Sequence, residues 1–499
     1  MTNALLNHLL ADQEKGPDLP PLADVIERIG LGKTQLRTGL LGGGVWLCCG
    51  CALLLVSSVA PAISEELRLQ AWQRGSLVSA VFLGALAGNT VSGPVGDGHG
   101  RRTPILVSFV GIAAFSVASA FVYSYEALFA VRLFLGASMG LGQPAFNTLC
   151  SEVAPAHWRI LMNSACQSLF IAGEIYAVSL MWADDPSMTQ MHWRRLVALG
   201  AVPAAIAGVL ANFLLLESPS YLAVQGDYHG AKQVLEAMGA DNRRVGMSVD
   251  FEAVPRRASS SSVTSSVIEP MGIIFSRKLL YSSLTVLYSC FSLNIVYFGV
   301  LYAMPSVVAS VDMGHSPAAS LMIGAFYELP GNVIAVVCGM LLPRKPVMIT
   351  YLAAVSLSLV AFASGAADST GAMWWSPYLL EAGFMGIKTF AGVGFVVVYL
   401  YITEIYPTRA RTTGSAACMA GGRVGGMLAP LVFEWLLKLS GSFLLFFQLA
   451  AALCVVNIFL ILFLPIETFG KSLQDDDIDE ASSYPTSSSS SSPSSDSPC

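Results

Sequence analysis

The residues that could do chemistry in this 499-residue chain are the few ionisable groups that interrupt its apolar runs. Glu174, Glu328 and Lys388 stand out, with Arg132, Glu381 and Arg423 beside them. An ionisable side chain at bilayer depth is costly, so each is a candidate binding or ion-path residue. Asn163, Gln167, Phe170 and Glu174 recur at i, i+4, i+7 and i+11, within about 60° of arc on one helical face. Such a stripe must face protein or water rather than lipid. Glu328 and Asn332 lie one turn apart, as do Asn294 and Tyr297; Glu381, Lys388, Gly392, Phe395 and Tyr399 share a face. Two readings stay open. In one the groups line a central cavity, where Glu174 or Glu328 takes a cationic group or a proton and Arg132, Lys388 or Arg423 takes an anionic one. In the other they pair between helices. For Trp46, Phe170 and Phe395 packing is the simpler reading.

The elements that hold these residues are long and apolar. Apolar residues make up 54% of the chain and charged residues 12%, about half the charge of a soluble domain. A helix needs roughly 20 apolar residues to cross the hydrocarbon core. Twelve runs qualify, at about 38–60, 75–96, 104–124, 126–148, 163–183, 195–216, 279–303, 316–342, 347–367, 374–403, 413–436 and 442–464. They are too long and continuous for barrel strands. The expected fold is therefore an all-α polytopic membrane protein with twelve transmembrane helices.

The longest connection, 217–278, divides the runs into six and six. This gives an N-terminal segment 1–37, a first half 38–216, a central loop, a second half 279–464 and an acidic, Ser-rich tail 465–499, disordered by composition. Glu152-x-x-Pro155-x-x-x-Arg159 and Glu404-x-x-Pro407-x-x-x-Arg411 fall at matching places in the two halves. The match indicates an internal repeat, as in secondary transporters. The spacing lets each Arg fold back on its Glu across the Pro turn. Between the second and third runs stand Gly93, Asp97, Gly100, Arg101 and Arg102: glycines for tight turns, an acid at a helix end and two basic anchors.

Other chemistry lacks support. No basic patch for nucleic acid occurs, and the net charge of -6 is dominated by the tail. The ten cysteines show no metal spacing, and no cofactor motif, HExxH or phosphate loop is present. No glycosylation sequon or signal peptide is found, so the N-terminus is expected in the cytosol. Residues 220–238 are expected to form a short amphipathic helix. Arg256-Arg257-Ala258-Ser259 offers Ser259 to a basic-directed kinase.

With these residues in hand, the chain resembles the major facilitator superfamily. The carriers are Gly93-x-x-x-Asp97-x-x-Gly100-Arg101-Arg102, Arg132-x-x-x-Gly136, Leu216-Glu217-Ser218-Pro219, Glu404-x-x-Pro407-x-x-x-Arg411 and Leu464-Pro465-Ile466-Glu467-Thr468. Ile29-Gly30-x-Gly32-Lys33-x-Gln35, Tyr297-Phe298-Gly299 and Glu328-Leu329-Pro330-Gly331 resemble the synaptic vesicle 2-related group of organic ion and sugar transporters. The likeness runs from about residue 23 to 474. It implies alternating-access transport of a small polar or organic ionic solute, in the plasma membrane or an intracellular vesicle membrane, by a monomer in the bilayer. It also implies gating roles for Gly93, Asp97, Gly100, Arg101, Arg102, Glu152, Arg159, Glu404 and Arg411.

Three departures matter. Gly98 stands where the family has Arg. The second copy of the loop signature reads Pro343-Arg344-Lys345, so gating is expected to rest on the first. Cys49 and Ala52 stand where the group follows its Trp with acids, so any proton carrier is expected outside the first run. These losses keep open a second function, a non-transporting receptor or regulator on the same scaffold.

If both ends are cytosolic, the inside segments hold 19 Lys and Arg against 5 outside. That is the positive-inside bias. Tags at either terminus and in 217–278 are then expected to be protected in sealed right-side-out vesicles. Protease access to the central loop from outside would refute this topology.

Overall fold

The computed structural model describes residues 19–244, 247–252, 271–311, 313–367, 375–406 and 408–468. Ser259 and the tail beyond Thr468 lie outside them, as does the side chain of Arg411. Among the described residues eleven helical segments are long and apolar enough to cross a membrane. Spans one to three are Lys33–Glu66, Ala71–His99 and Arg102–Ala120; spans five and six are Ala156–Asp184 and Trp193–Leu214. Spans seven to twelve are Leu280–Ser310, Pro317–Leu341, Arg344–Ala367, Ser376–Ile405, Thr408–Ser440 and Leu444–Leu462.

The fourth span is Tyr125–Val153. Its Glu126, Arg132, Gln143, Pro144 and Asn147 dilute its apolar character. It tolerates Arg132, Gln143 and Asn147 because that face lies against protein, while Glu126 is exposed in the first turn of the helix. A Cβ at Gly136 would sit 1.9 Å from the Val81 carbonyl oxygen, and one at Gly140 2.1 Å from that of Ala85. Spans two and four thus touch backbone to backbone, as small residues allow inside a bilayer.

The packing scheme repeats. Spans one and five pack together, as do seven and eleven; spans two and four pack together, as do eight and ten. The halves meet through spans two and eleven, five and eight, and one and seven. The first two pairs are equivalents under exchange of the halves.

Several expectations need correction. Span five is not one continuous helix. A turn at Ala156–Trp158 leads into Arg159–Gln167, and a break at Ser168 precedes Leu169–Asp184. Span six breaks at Gly200–Ala201, just before Pro203. Gly93 makes no turn: it lies inside the second span, which stays helical to His99, and Gly100 takes the turn at φ +87°. The amphipathic segment is two helices, Pro219–Gln225 and Tyr228–Asp241, parted at the left-handed Gly226.

A short helix, Leu22–Ile29, precedes the first span and lies on the end that carries both described termini. The Gly30–Gln35 stretch locks it to the central segment. Asn242 donates to Gly30 O at 3.1 Å and Gln35 Oε1 at 2.8 Å, and Arg37 pairs with Asp241 at 2.8 Å.

Since Val81 O leaves no room beside Gly136, Gly136→Val is expected to push spans two and four apart and cost roughly 1–3 kcal/mol or more. Gly93, with nothing within 4 Å of a Cβ, supplies the control. A thermal melt should fall for Gly136→Val and hold for Gly93→Ala.

Candidate functional site

Three buried charges of the bundle meet where the halves meet. Lys388 on span ten donates to Glu174 on span five at 3.2 Å and to Glu328 on span eight. The Tyr297 hydroxyl on span seven donates to Glu328 at 3.2 Å and Glu174 at 3.5 Å. Glu174 belongs to the first half and the other three to the second. Glu174, Glu328 and Lys388 are exposed by only 1%, 2% and 6%, so in this conformation they are closed from water. The Ser168 break brings Ser168 Oγ to Asn332, which donates to it at 3.0 Å, a second polar link across the halves. Tyr297 packs edge-on to Phe395, and Phe395 stacks on Tyr399 at 5.8 Å between ring centroids.

Other predicted site residues stand nearby but apart from this knot. Trp46, Asn163 and Gln167 are half-buried. The Trp46 Nε1 and Asn163 Oδ1 atoms are buried without a hydrogen-bond partner among the described residues. Glu381 is exposed, beside Met313, His315 and Ser320 at the end opposite the termini.

A third polar contact crosses the halves. Arg423 on span eleven donates to Gln143 Oε1 on span four at 2.6 Å, and the Gln143 amide donates to Cys49 Sγ at 3.3 Å. Cys49, which the family resemblance sets at the place of an acid, is thus a thiol bound to an amide. Sequence reasoning passed over Gln143.

At the end opposite the termini the halves are closed. Arg74 at the start of span two forms two bonds to Glu434 of span eleven, at 2.7 and 2.6 Å, and the Tyr302 hydroxyl donates to the same carboxylate. Below this lock Ser79 donates to Met427 O at 2.6 Å. Ala318 N donates to Pro186 O at 3.3 Å, joining the start of span eight to the loop after span five. The loop that presents Pro186 is held by Asp185, which accepts from the backbone N–H groups of Gln190, Thr189 and Ser187. Those bonds hold its carboxyl well below the usual carboxylate range, that of Gln190 foremost. Glu434 was missed although it is the lone acid of its span, a legible signal.

At the terminal end each half is clamped within itself. Arg101 pairs with Glu152 and Asp97, each at 3.2 Å, and donates to Gly96 O at 2.8 Å. Glu217 caps the third span by accepting from Arg101 N at 2.9 Å and Arg102 N at 3.1 Å. In the second half Arg344 pairs with Glu404 at 2.9 and 3.0 Å and donates to Gly339 O, while Glu467 accepts from Arg344 N and Lys345 N, both at 3.0 Å. A carboxylate at a helix N-terminus also meets the favourable end of the dipole.

The second copy is therefore intact in geometry, although Pro343 replaces its Asp. The expected return of Arg159 to Glu152 does not occur: Arg159 Nε donates to Ala154 O at 3.2 Å, and Glu152 is taken by Arg101. Glu404 likewise takes Arg344.

Twelve helices in two like halves, joined at mid-depth by buried polar contacts, define a secondary membrane transporter of the major facilitator fold, not an enzyme. Residues 41–479 match the sugar (and other) transporter family, and the chain belongs to that family. It is 26% identical to the synaptic vesicle 2-related protein of Xenopus laevis, covering 91% of this chain and 82% of the relative. It is 27% identical to organic cation/carnitine transporter 7 of Arabidopsis thaliana, over 91% of this chain and 95% of the relative. The D-xylose transporter of Levilactobacillus brevis is also 27% identical, with 88% and 93% covered. The fold matches the partially occluded, inward-open xylose transporter XylE of E. coli with a TM-score of 0.70 at 16% identity, covering 88% of this chain and 99% of that one.

Glu434 is nearly buried, so removing its charge leaves Arg74 facing a neutral group across the lock. Glu434→Gln is expected to raise the reactivity of a reporter cysteine at Ser79 toward an impermeant thiol reagent several-fold. Unchanged labelling would show that the lock does not hold this end shut.

Proposed function

We propose that this chain moves a small polar or organic ionic solute by alternating access, and that the Lys388–Glu174–Glu328–Tyr297 knot is the polar link the halves break and remake. The observation that carries this is its placement: a buried ion triad drawn from both halves cannot survive their separation. Two carboxylates against one ammonium sum to one negative charge unless a proton is held, and an uncompensated charge in a dry interior is costly. The knot therefore suits a proton or a cationic group as the partner exchanged when it opens. D-xylose and organic cations, the solutes after which two of the relatives are named, agree with a small polar solute.

The end carrying the termini is the cytosolic one in this reading, by the Lys and Arg bias, and the present conformation is closed on the outside. The clamps at Arg101 and Arg344 keep each half rigid at its cytosolic end. One chain supplies both halves, so a monomer suffices, and Arg256-Arg257-Ala258 before Ser259 suits a basic-directed kinase. A receptor on the same scaffold would have no use for a charge link across the rocking interface.

The test is uptake into proteoliposomes over a solute panel, with and without a pH gradient. Glu328→Gln and Glu174→Gln, singly and together, are expected to lose pH-driven accumulation at least tenfold while keeping equilibrium exchange. Undiminished accumulation in the double variant would remove both residues from coupling.

A further inference from the structure

The bundle's interior cations are not treated alike. Lys388 is matched by two carboxylates and Arg74 by one. Arg423 and Arg132 have no carboxylate within ion-pair distance among the described residues. Arg132 is exposed by only 1%, and its Nε and Nη2 are unpartnered. It lies eleven residues before Gln143 on span four, three turns away and within about 20° of the same face. Arg423, half-buried, touches that face through Gln143.

Around Arg423 stand further polar atoms left free. Trp46 lies one turn before Cys49, the residue that accepts from Gln143, and its indole N–H has no partner. Asn147 lies one turn beyond Gln143, and its Oδ1 is buried and unpartnered. Asn294 is fully buried and donates to Cys290 O at 2.8 Å, leaving its Oδ1 free; a Cβ at Gly422, next to Arg423, would lie 2.6 Å from its Nδ2. A buried polar atom without a partner is the exception in folded proteins and calls for one. Here one unneutralised guanidinium, one free donor and two free acceptors gather where spans one, four, seven and eleven approach one another.

Resting on the transport reading above, we infer that the solute carries a carboxylate received by Arg423, and a hydroxyl or N–H group received by Asn147 or Asn294. A guanidinium presents paired N–H donors that match a carboxylate in two-point contact. Glu174 and Glu328 are held by Lys388 and Tyr297, which leaves them to the proton or cation exchanged when the knot opens and not to the solute at Arg423. A neutral sugar would leave the charge of Arg423 unmet. Arg132, farther toward the closed end on the same face of span four, continues the positive lining along the path.

The test uses the purified full-length protein and matched probes: benzoate with benzamide, gluconate with glucose, and choline. At least one carboxylate is expected to raise the melting temperature by several degrees, as a ligand of the folded state does. Its neutral twin and choline should not. In proteoliposomes the same carboxylate should be taken up. Arg423→Gln, in protein that still folds, should weaken the apparent affinity for it at least tenfold. Should Arg423→Gln not fold, Gln143→Glu answers the same question: it sets a carboxylate on the guanidinium, satisfies it within the protein, and should abolish binding of the added carboxylate. A carboxylate response in Gln143→Glu or in folded Arg423→Gln equal to wild type overturns the assignment. Binding and uptake of glucose or choline alone overturns the anionic class and leaves transport standing. No binding and no uptake of any probe overturns the anionic class and counts against transport as well.

Discussion

Inside a bilayer no water is at hand to solvate a charge, so an interior ionisable group is costly unless another helix or a bound solute supplies its partner. Insertion scales set a charged side chain at the helix centre at about 2.5–3.5 kcal/mol, enough to dictate where it points. In this protein the constraint has a particular consequence. Three interior cations find partners across the boundary between the halves: Lys388 with Glu174, Arg74 with Glu434, Arg423 with Gln143. Lipid tails are as apolar as leucine, so little hydrophobic force holds one half against the other. Polar contacts then carry much of the cohesion of that interface, and a conformational change must exchange them for water or solute.

The halves themselves are built to resist change. Backbone contact at Gly136 and Gly140 fixes spans two and four, and a Cβ at Gly173 on span five would lie 2.0 Å from Leu47 O of span one. At the terminal end an arginine in each half ties a helix end to a carboxylate in the last turn of the fourth or tenth span, and a second carboxylate caps the same helix. These ties stay within one half. Stiff bodies with a thin, polar, reversible boundary are what rocking about a central site requires. The breaks at Ser168 and Gly200–Ala201 stand out in this frame: Ser168 delivers its hydroxyl across the boundary to Asn332.

The first span shows how a lost residue can be compensated without restoring its chemistry. Cys49, at the place of an acid in similar transporters, accepts from Gln143, and Gln143 in turn accepts from Arg423. The amide passes a hydrogen bond from guanidinium to thiol but brings no negative charge. The site therefore keeps a surplus positive charge, which is what distinguishes it from the Lys388 knot, whose Tyr297 stands one turn from Asn294 on span seven.

The fold was legible in the sequence because its determinants are local and one-dimensional. Apolar runs of membrane length, the long connection at 217–278, the repeated Glu-x-x-Pro-x-x-x-Arg and the Lys and Arg bias each depend on neighbours along the chain. So did the list of interior acids and bases, since a charge in an apolar run is visible wherever it points. Pairing was not legible. Helical periodicity places Glu174 and Gln167 on a face but does not say which helix that face meets, and Glu152 turned to Arg101 rather than to the Arg159 that spacing favoured. Pro343 hid the fact that Arg344 repeats the part of Arg101, because the clamp needs the arginine and two carboxylates, not the acid that was lost. Glu434 gained meaning only when span two was seen beside span eleven. Such partnerships join residues up to 360 positions apart, as for Arg74 and Glu434; only the packing of the two halves brings them within reach.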